Sequence, residues 1–235
     1  MQNLGYTRSS YQRDHLLLTP DTFVRAPLPG MVKCTAIVHA APAIGARFTQ
    51  YTAEFEAGGR LGPVERTSPP AQRFVYVIEG ALNIGGPGAY AYAPREVSAV
   101  SSARAVVIEK EYVAVDGARA GMPAPLTGNE AEVKGRPLGD DPDLEVRVLI
   151  PEDPAFDFAV NTMTFQPGAA LPMVEIHVME HGLLMLEGGG VYRLGEKWYP
   201  VTAGDFIWMA PYCPQWFGAL GKQPAKYLIY KDWNR

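Results

Sequence analysis

Gly182-Leu183-Leu184-Met185-Leu186-Glu187-Gly188-Gly189-Gly190-Val191 has an earlier counterpart, Phe74-Val75-Tyr76-Val77-Ile78-Glu79-Gly80-Ala81-Leu82-Asn83. Each is an apolar run, then Glu-Gly, then a second stretch. Two further pairs follow in the same order. Tyr92-Ala93-Pro94 parallels Met209-Ala210-Pro211. Val106-Val107-Ile108-Glu109-Lys110-Glu111-Tyr112 parallels Tyr227-Leu228-Ile229-Tyr230-Lys231-Asp232-Trp233. Parallels that keep their order along a chain mark an internal duplication. The repeated unit is built of short apolar runs, and such runs bounded by Gly, Pro or Asp read as strands.

Other segments agree. Arg47–Phe55, Leu144–Ile150, Phe158–Phe165 and Lys226–Lys231 are rich in β-branched and aromatic residues and six to nine residues long. Long helical periodicity is scarce, and 24 Gly with 21 Pro punctuate the chain throughout. The expected fold is all-β, two tandem sandwiches or barrels. Residues 1–120 form the first copy and 144–235 the second. The connecting linker is read at 121–143, within a Gly-, Pro-, Ala- and Asp-rich stretch that begins near residue 115.

Bulk properties exclude several classes. The net charge of -4 comes without a basic block, so nothing favours nucleic acid or an anionic membrane. No apolar run approaches the ~18 residues of a membrane span, and the N-terminus lacks the layout of a signal peptide. Cys34 and Cys213, the only cysteines, form no disulfide framework and suit a reducing cytoplasm.

Just ahead of the second copy's Glu-Gly stands Glu175-Ile176-His177-Val178-Met179-Glu180-His181. Three potential metal ligands, Glu175, His177 and His181, fall within seven residues, and two of the chain's four histidines are spent here. His177 to His181 spells H-x-x-E-H, the inverted zinc-protease motif, which requires a helix. The alternative puts Glu175 and His177 on one strand face at period two, with His181 entering from the next strand. The strand character of Arg73–Ile78 in the first copy, Pro172 before and Gly188-Gly189-Gly190 after favour strands. Aligning the two Glu-Gly pairs puts Arg73 opposite His181, Pro69 opposite His177 and Thr67 opposite Glu175. The first copy therefore has no ligand set. His15 and His39 fall outside the matching region and read as structural or surface histidines.

Glu-x-His-x3-His-x6-Gly is similar to the first cupin motif, with Glu and His at exchanged positions. In the second motif, Gly204 to Gln215, Gln215 stands where a ligand His is usual. Within the bicupins, this set and the ending Lys226–Asp232 resemble the (S)-ureidoglycine aminohydrolases. That resemblance implies two cupin (jelly-roll) domains, a manganese ion, and release of ammonia from (S)-ureidoglycine to leave (S)-ureidoglycolate in purine and allantoin catabolism. It implies Glu175, His177, His181 and Gln215 as ligands. Tyr227, Lys231, Gln215 and, more weakly, Tyr192 would contact the substrate. Glu175 and Lys231 would serve catalysis. A homodimer or larger homo-oligomer is implied too.

Two imidazoles, a carboxylate and an amide oxygen suit Mn(II), Fe(II) or Zn(II) alike. A hydrogen-bonded pair of barrel histidines, an ordinary turn glutamine at 215, and Cys213 as a competing ligand are the alternatives at the site. Tyr227, Ile229 and Lys231 share one face of the last strand. Lys231 either enters the pocket, where a substrate carboxylate would pair with it, or ends a frayed strand in solvent, as its apparent counterpart Lys110 would. Other functions in view are a metal-cupin dioxygenase or isomerase on a small acid, and a non-catalytic small-molecule-binding cupin.

Overall fold

The computed structural model describes residues 6–64, 71–114 and 121–232. Thr67 and Pro69, matched above to Glu175 and His177, lie outside the described residues. Helix is confined, among the described residues, to three 3-10 turns, Pro20–Thr22, Pro42–Ile44 and Glu130–Glu132. None is long and apolar enough to cross a membrane.

The strands in chain order begin with β1 (Ser10–Tyr11), β2 (His15–Leu18), β3 (Arg25–Ala26), β4 (Met31–Ala40), β5 (Thr49–Leu61) and β6 (Ala71–Glu79). There follow β7 (Ala89–Tyr92), β8 (Val97–Ser98), β9 (Ala103–Glu111), β10 (Leu126–Asn129), β11 (Arg136–Leu138), β12 (Asp141–Val148) and β13 (Phe158–Phe165). The last six are β14 (His181–Glu187), β15 (Gly189–Leu194), β16 (Lys197–Thr202), β17 (Phe206–Met209), β18 (Gln215–Ala219) and β19 (Ala225–Asp232).

The chain divides into two compact units. One comprises Val24–Val133 and Leu149–Asp157; its large sheet has the order β10-β7-β6-β9-β5-β4-β3, with β8 against β5. The other comprises Met1–Phe23, Lys134–Val148 and Phe158–Arg235. It carries the sheet β1-β2-β17-β14-β19-β13-β12-β11 and a second sheet, β16-β15-β18. The orders match strand for strand: β6 with β14, β7 with β17, β9 with β19, β5 with β13, β4 with β12. This is a tandem pair of cupin barrels.

The repeated Glu-Gly has a physical cause. Gly80 and Gly188 both adopt left-handed backbone, φ 72° and 64°. A Cβ there would meet the Ser102 carbonyl oxygen at 2.0 Å and the Pro224 carbonyl oxygen at 2.3 Å. Only glycine fits either place.

The unit boundaries differ from those read in sequence. β2 lies ahead of the first repeat yet pairs with β17 of the second barrel, Leu16 opposite Trp208. The stretch read as a linker is structured: β10 edges the first sheet against β7, and β11 edges the second against β12. The segment ahead of each repeat thus supplies an edge strand to the other's sheet. These short strands lie outside the repeated runs, so a repeat comparison does not place them.

The core of the second barrel fills the space between its two sheets. Leu183 and Met185 of β14, Phe165 of β13 and Tyr227 of β19 pack with Tyr192 and Leu194 of β15 and Phe217 of β18. The small sheet alternates cleanly: Gly190, Tyr192 and Leu194 are buried, while Val191 and Arg193 are less so. Period-two alternation is what a sheet with one covered face requires. Phe217 sits edge-on to Phe165 at 4.9 Å between ring centroids, within that core.

Candidate metal centre and substrate cavity

Residues 171–180 run as a loop into β14. At Glu175 the loop touches down on β18. The Glu175 N–H donates to the Gln215 carbonyl at 2.8 Å, and the Gln215 N–H donates to the Glu175 carbonyl at 2.9 Å. Two residues on, the His177 carbonyl accepts from the Tyr212 N–H at 2.8 Å. His181 is the first residue of β14. The segment is not the helix that H-x-x-E-H demands, and Glu180 does not line the cavity. It is not a full strand either: only Glu175 makes a ladder pair, because residues 176–180 must cross from β18 to β14. The period-two placement of Glu175 and His177 survives in that short extended stretch.

The side chains converge. His177 Nε2 lies 3.2 Å from His181 Nε2 and 3.0 Å from the Gln215 side-chain amide. The Glu175 carboxylate is 3.9 Å from His177 Nε2 and is the most exposed of the four. His181 is fully buried. Burial above all, then the charges of Lys231 and His177, holds its pKa well below the ordinary histidine value. It is therefore neutral, and its Nδ1, 3.3 Å from the Tyr230 carbonyl, is placed to carry the proton and donate it. That leaves the Nε2 lone pair facing His177. A backbone carbonyl fixing one ring nitrogen so that the other can bind metal is the usual outer support of a metal-binding histidine.

Two donor nitrogens bound to one ion at about 2.1 Å stand roughly 3 Å apart when they are neighbours in its coordination sphere. The 3.2 Å Nε2–Nε2 spacing suits that. The donor set is nitrogen and oxygen without thiolate, so the centre fits a divalent metal ion. Gln215 is oriented with Oε1 accepting from the Tyr192 hydroxyl at 3.1 Å and its amide nitrogen toward His177. Turning the amide over exchanges these atoms: Oε1 then joins the donor set, and the nitrogen donates to Tyr192. Cys213 stays out of the cavity, its thiol directed at the Pro214 carbonyl. Burial pushes that thiol up to about 12.

The four side chains open into a small, partly open cavity. Tyr192 of β15 and Tyr227, Ile229 and Lys231 of β19 line it, so the last strand presents that face inward. Lys231 is no solvent-frayed lysine. Apolar walls come from Met163, Leu171 and Leu138, the last from the segment read as linker. Burial, reinforced by nearby carboxylate charge, raises the pKa of both tyrosines, so each hydroxyl stays protonated.

Among the described residues the first barrel gathers no such set, and its register corrects one pairing. His181 faces Lys231 across β14 and β19, while Arg73 faces Glu109 across β6 and β9. The counterpart of Lys231 is therefore Glu109, and Lys110 corresponds to Asp232. The sequence parallel was off by one residue, which in a strand exchanges the two faces. Arg73 and Glu109 form an ion pair at 2.6 Å, joined by the Tyr51 hydroxyl at 3.0 Å. Salt-bridged side chains occupy the place that a metal and ligand would need. Lys110 points to the other face, ion-paired with Asp157. His39 is buried and bonded to Thr52, and His15 lies between Asp14 and Tyr199, both in structural roles.

The cupin domain family model matches residues 161–230. An (S)-ureidoglycine aminohydrolase of Arabidopsis thaliana is 40% identical, the match covering 98% of this chain and 80% of that protein. An (S)-ureidoglycine aminohydrolase of Escherichia coli (strain K12) is 32% identical, covering 93% of this chain and 88% of that one. The crystal structure of protein Ylba from E. coli, 28% identical, matches with a TM-score of 0.81 over 98% of this chain and 96% of that chain. Similarity at 32–40% identity along nearly the whole length, on two cupin barrels, establishes that the chain belongs to the (S)-ureidoglycine aminohydrolase family.

Proposed function

We propose that this protein is an aminohydrolase that converts (S)-ureidoglycine and water to (S)-ureidoglycolate and ammonia in purine and allantoin catabolism. The ion we assign is manganese, held by Glu175, His177, His181 and Gln215. The observation that carries the reading is the convergence of these four side chains in one cavity with Lys231 and Tyr227. Membership of the family supplies the substrate.

A bound divalent ion supplies a Lewis acid that lowers the pKa of water and fixes the substrate. The chain supplies the rest. The imidazoles at 177 and 181 turn their Nε2 atoms toward each other for ligation, and burial keeps that of His181 neutral. Tyr192 holds the Gln215 amide. The Lys231 ammonium, inside the cavity, pairs with the substrate carboxylate, and the Tyr227 hydroxyl donates to an oxygen of the same molecule, fixing the carbon face presented to water. Glu175, at the open side, takes a proton from the attacking water. A C–O bond forms as the C–N bond breaks, and the amine leaves as ammonia with the proton returned from Glu175. The reading includes a cytoplasmic setting, which the two free, buried cysteines suit, and an assembly of two or more copies.

The test is ammonia release by manganese-loaded protein from ureidoglycine generated in the same vessel from allantoate. The expected result is release far above the spontaneous rate without oxygen consumption. Release at the spontaneous rate with metal bound would overturn the reading, and oxygen uptake would move the protein to the oxygenases.

A further inference from the structure

Asn161 is buried, 7% exposed, and its side-chain oxygen has no hydrogen-bond partner. A buried acceptor left unpaired is costly and calls for an explanation. Its place on β13 gives one. Asn161 lies between Phe158 and Phe165 on the face that carries Met163, directly opposite Ile229 of β19. Met163, Ile229 and the diagonal neighbour Lys231 all line the cavity. Side chains at such positions are within reach of one another across a sheet.

The first barrel provides an internal control. Tyr51 faces Val107 there as Asn161 faces Ile229 here. The Tyr51 hydroxyl reaches Glu109, the counterpart of Lys231, at 3.0 Å. In the first barrel the side chain at this position is thus directed at the head group of the residue that stands where Lys231 stands in the second. The much shorter Asn161 makes no such bond: its side-chain oxygen is without a partner.

We propose that Asn161 reads the ureido group of the substrate while Lys231 holds its carboxylate, so that Asn161 determines specificity for ureides. The inference rests on the ureidoglycine reading above. The chemistry separates the two roles. An unpaired amide oxygen needs a partner that donates N–H, which a carboxylate lacks and a ureido group has. The amide also offers N–H to the ureido carbonyl, the complementary pairing of one amide with another. A site built to pair with such a group discriminates strongly against molecules without it.

The test uses manganese-loaded wild type, Asn161→Leu and Asn161→Ala with two inert competitors. N-carbamoylglycine carries the carboxylate and the ureido group; glycolate carries the carboxylate alone. Both variants are expected to raise KM for ureidoglycine and the inhibition constant of N-carbamoylglycine by about tenfold. Glycolate inhibition and manganese affinity should stay at wild-type values, which also certifies that the variants fold. An unchanged constant for N-carbamoylglycine, or an equal loss for glycolate, would overturn the assignment. If wild type releases no ammonia, the parent reading falls and this inference with it; if wild type is active and both variants match it, this inference alone falls.

Discussion

Tyr192→Phe and Tyr227→Phe should have different consequences, although both tyrosines are buried and both line the same cavity. The Tyr192 hydroxyl is bonded to the Gln215 amide at 3.1 Å. No hydrogen bond of the Tyr227 hydroxyl is formed among the described residues. Removing the Tyr192 oxygen leaves a buried amide atom of Gln215 without its partner, at a cost of about 1–3 kcal/mol. Loss of an outer partner of a metal ligand typically lowers metal affinity about 10- to 100-fold. The bond is on the long side for an O–H donor, so the lower part of that range is expected, about 10- to 30-fold. Tyr227→Phe should leave metal affinity alone and raise KM for ureidoglycine several-fold. Titration of metal-free protein with Mn(II), followed calorimetrically or by electron paramagnetic resonance, reads the first effect; steady-state ammonia release reads the second. Tyr192→Phe binding manganese within twofold of wild type, or Tyr227→Phe losing metal affinity as badly, would refute the assignment of Gln215 as a supported ligand.

Glu175→Gln should leave metal partly bound and lower kcat of the metal-saturated protein by about 100-fold or more, as expected for loss of a general base; near-normal turnover would remove Glu175 from proton transfer. Arg73→Leu should destabilise the first barrel by about 3 kcal/mol, because it strands Glu109 beside Tyr51 without its cation; denaturant unfolding measures this, and manganese affinity should be unaffected. His39 is held neutral, its pKa pushed down to about 3 by burial and then by Arg104. The unfolded chain binds that proton near pH 6.5, so the contribution of His39 to stability is full above that value. It is lost as pH falls toward 3, at up to ~1.4 kcal/mol per pH unit. His39→Asn should flatten the acid limb of a stability–pH curve by one proton, and an unchanged slope would refute the burial argument.

Much of the fold was legible because its signals are local. Phe158–Phe165 is a strand in sequence and in structure, since β-branched and aromatic residues buried on both faces have no competing periodicity. The two Glu-Gly turns were visible as repeats because the same carbonyl clash forbids any other residue. The closeness of His177 and His181 was visible in their spacing, whereas Gln215 was implied only by the resemblance to the second cupin motif. What sequence did not reveal depends on long-range pairing. His15–Leu18 resembles the strands of neither repeat, yet it edges the second sheet through β17. Leu138 sits in a Gly- and Pro-rich stretch and still walls the cavity. The counterpart of Lys231 was displaced by one residue because Val106–Glu111 and Leu228–Asp232 carry apolar residues on both faces, so composition did not fix which face points inward. Cross-strand register does, and it puts Glu109 opposite Arg73. Asn161 carries no motif at all; only its orphaned oxygen among cavity-lining neighbours marks it.

The central claim is one metal centre, in the second barrel, that performs the hydrolysis. Adding Mn(II) stepwise to chelator-stripped protein and recording ammonia release from ureidoglycine at each step tests it directly. The account predicts activity that rises linearly to one equivalent per chain and is then flat, with no activity at any manganese level in His181→Ala. Full activity in the stripped protein, or saturation only at two equivalents per chain, would contradict it.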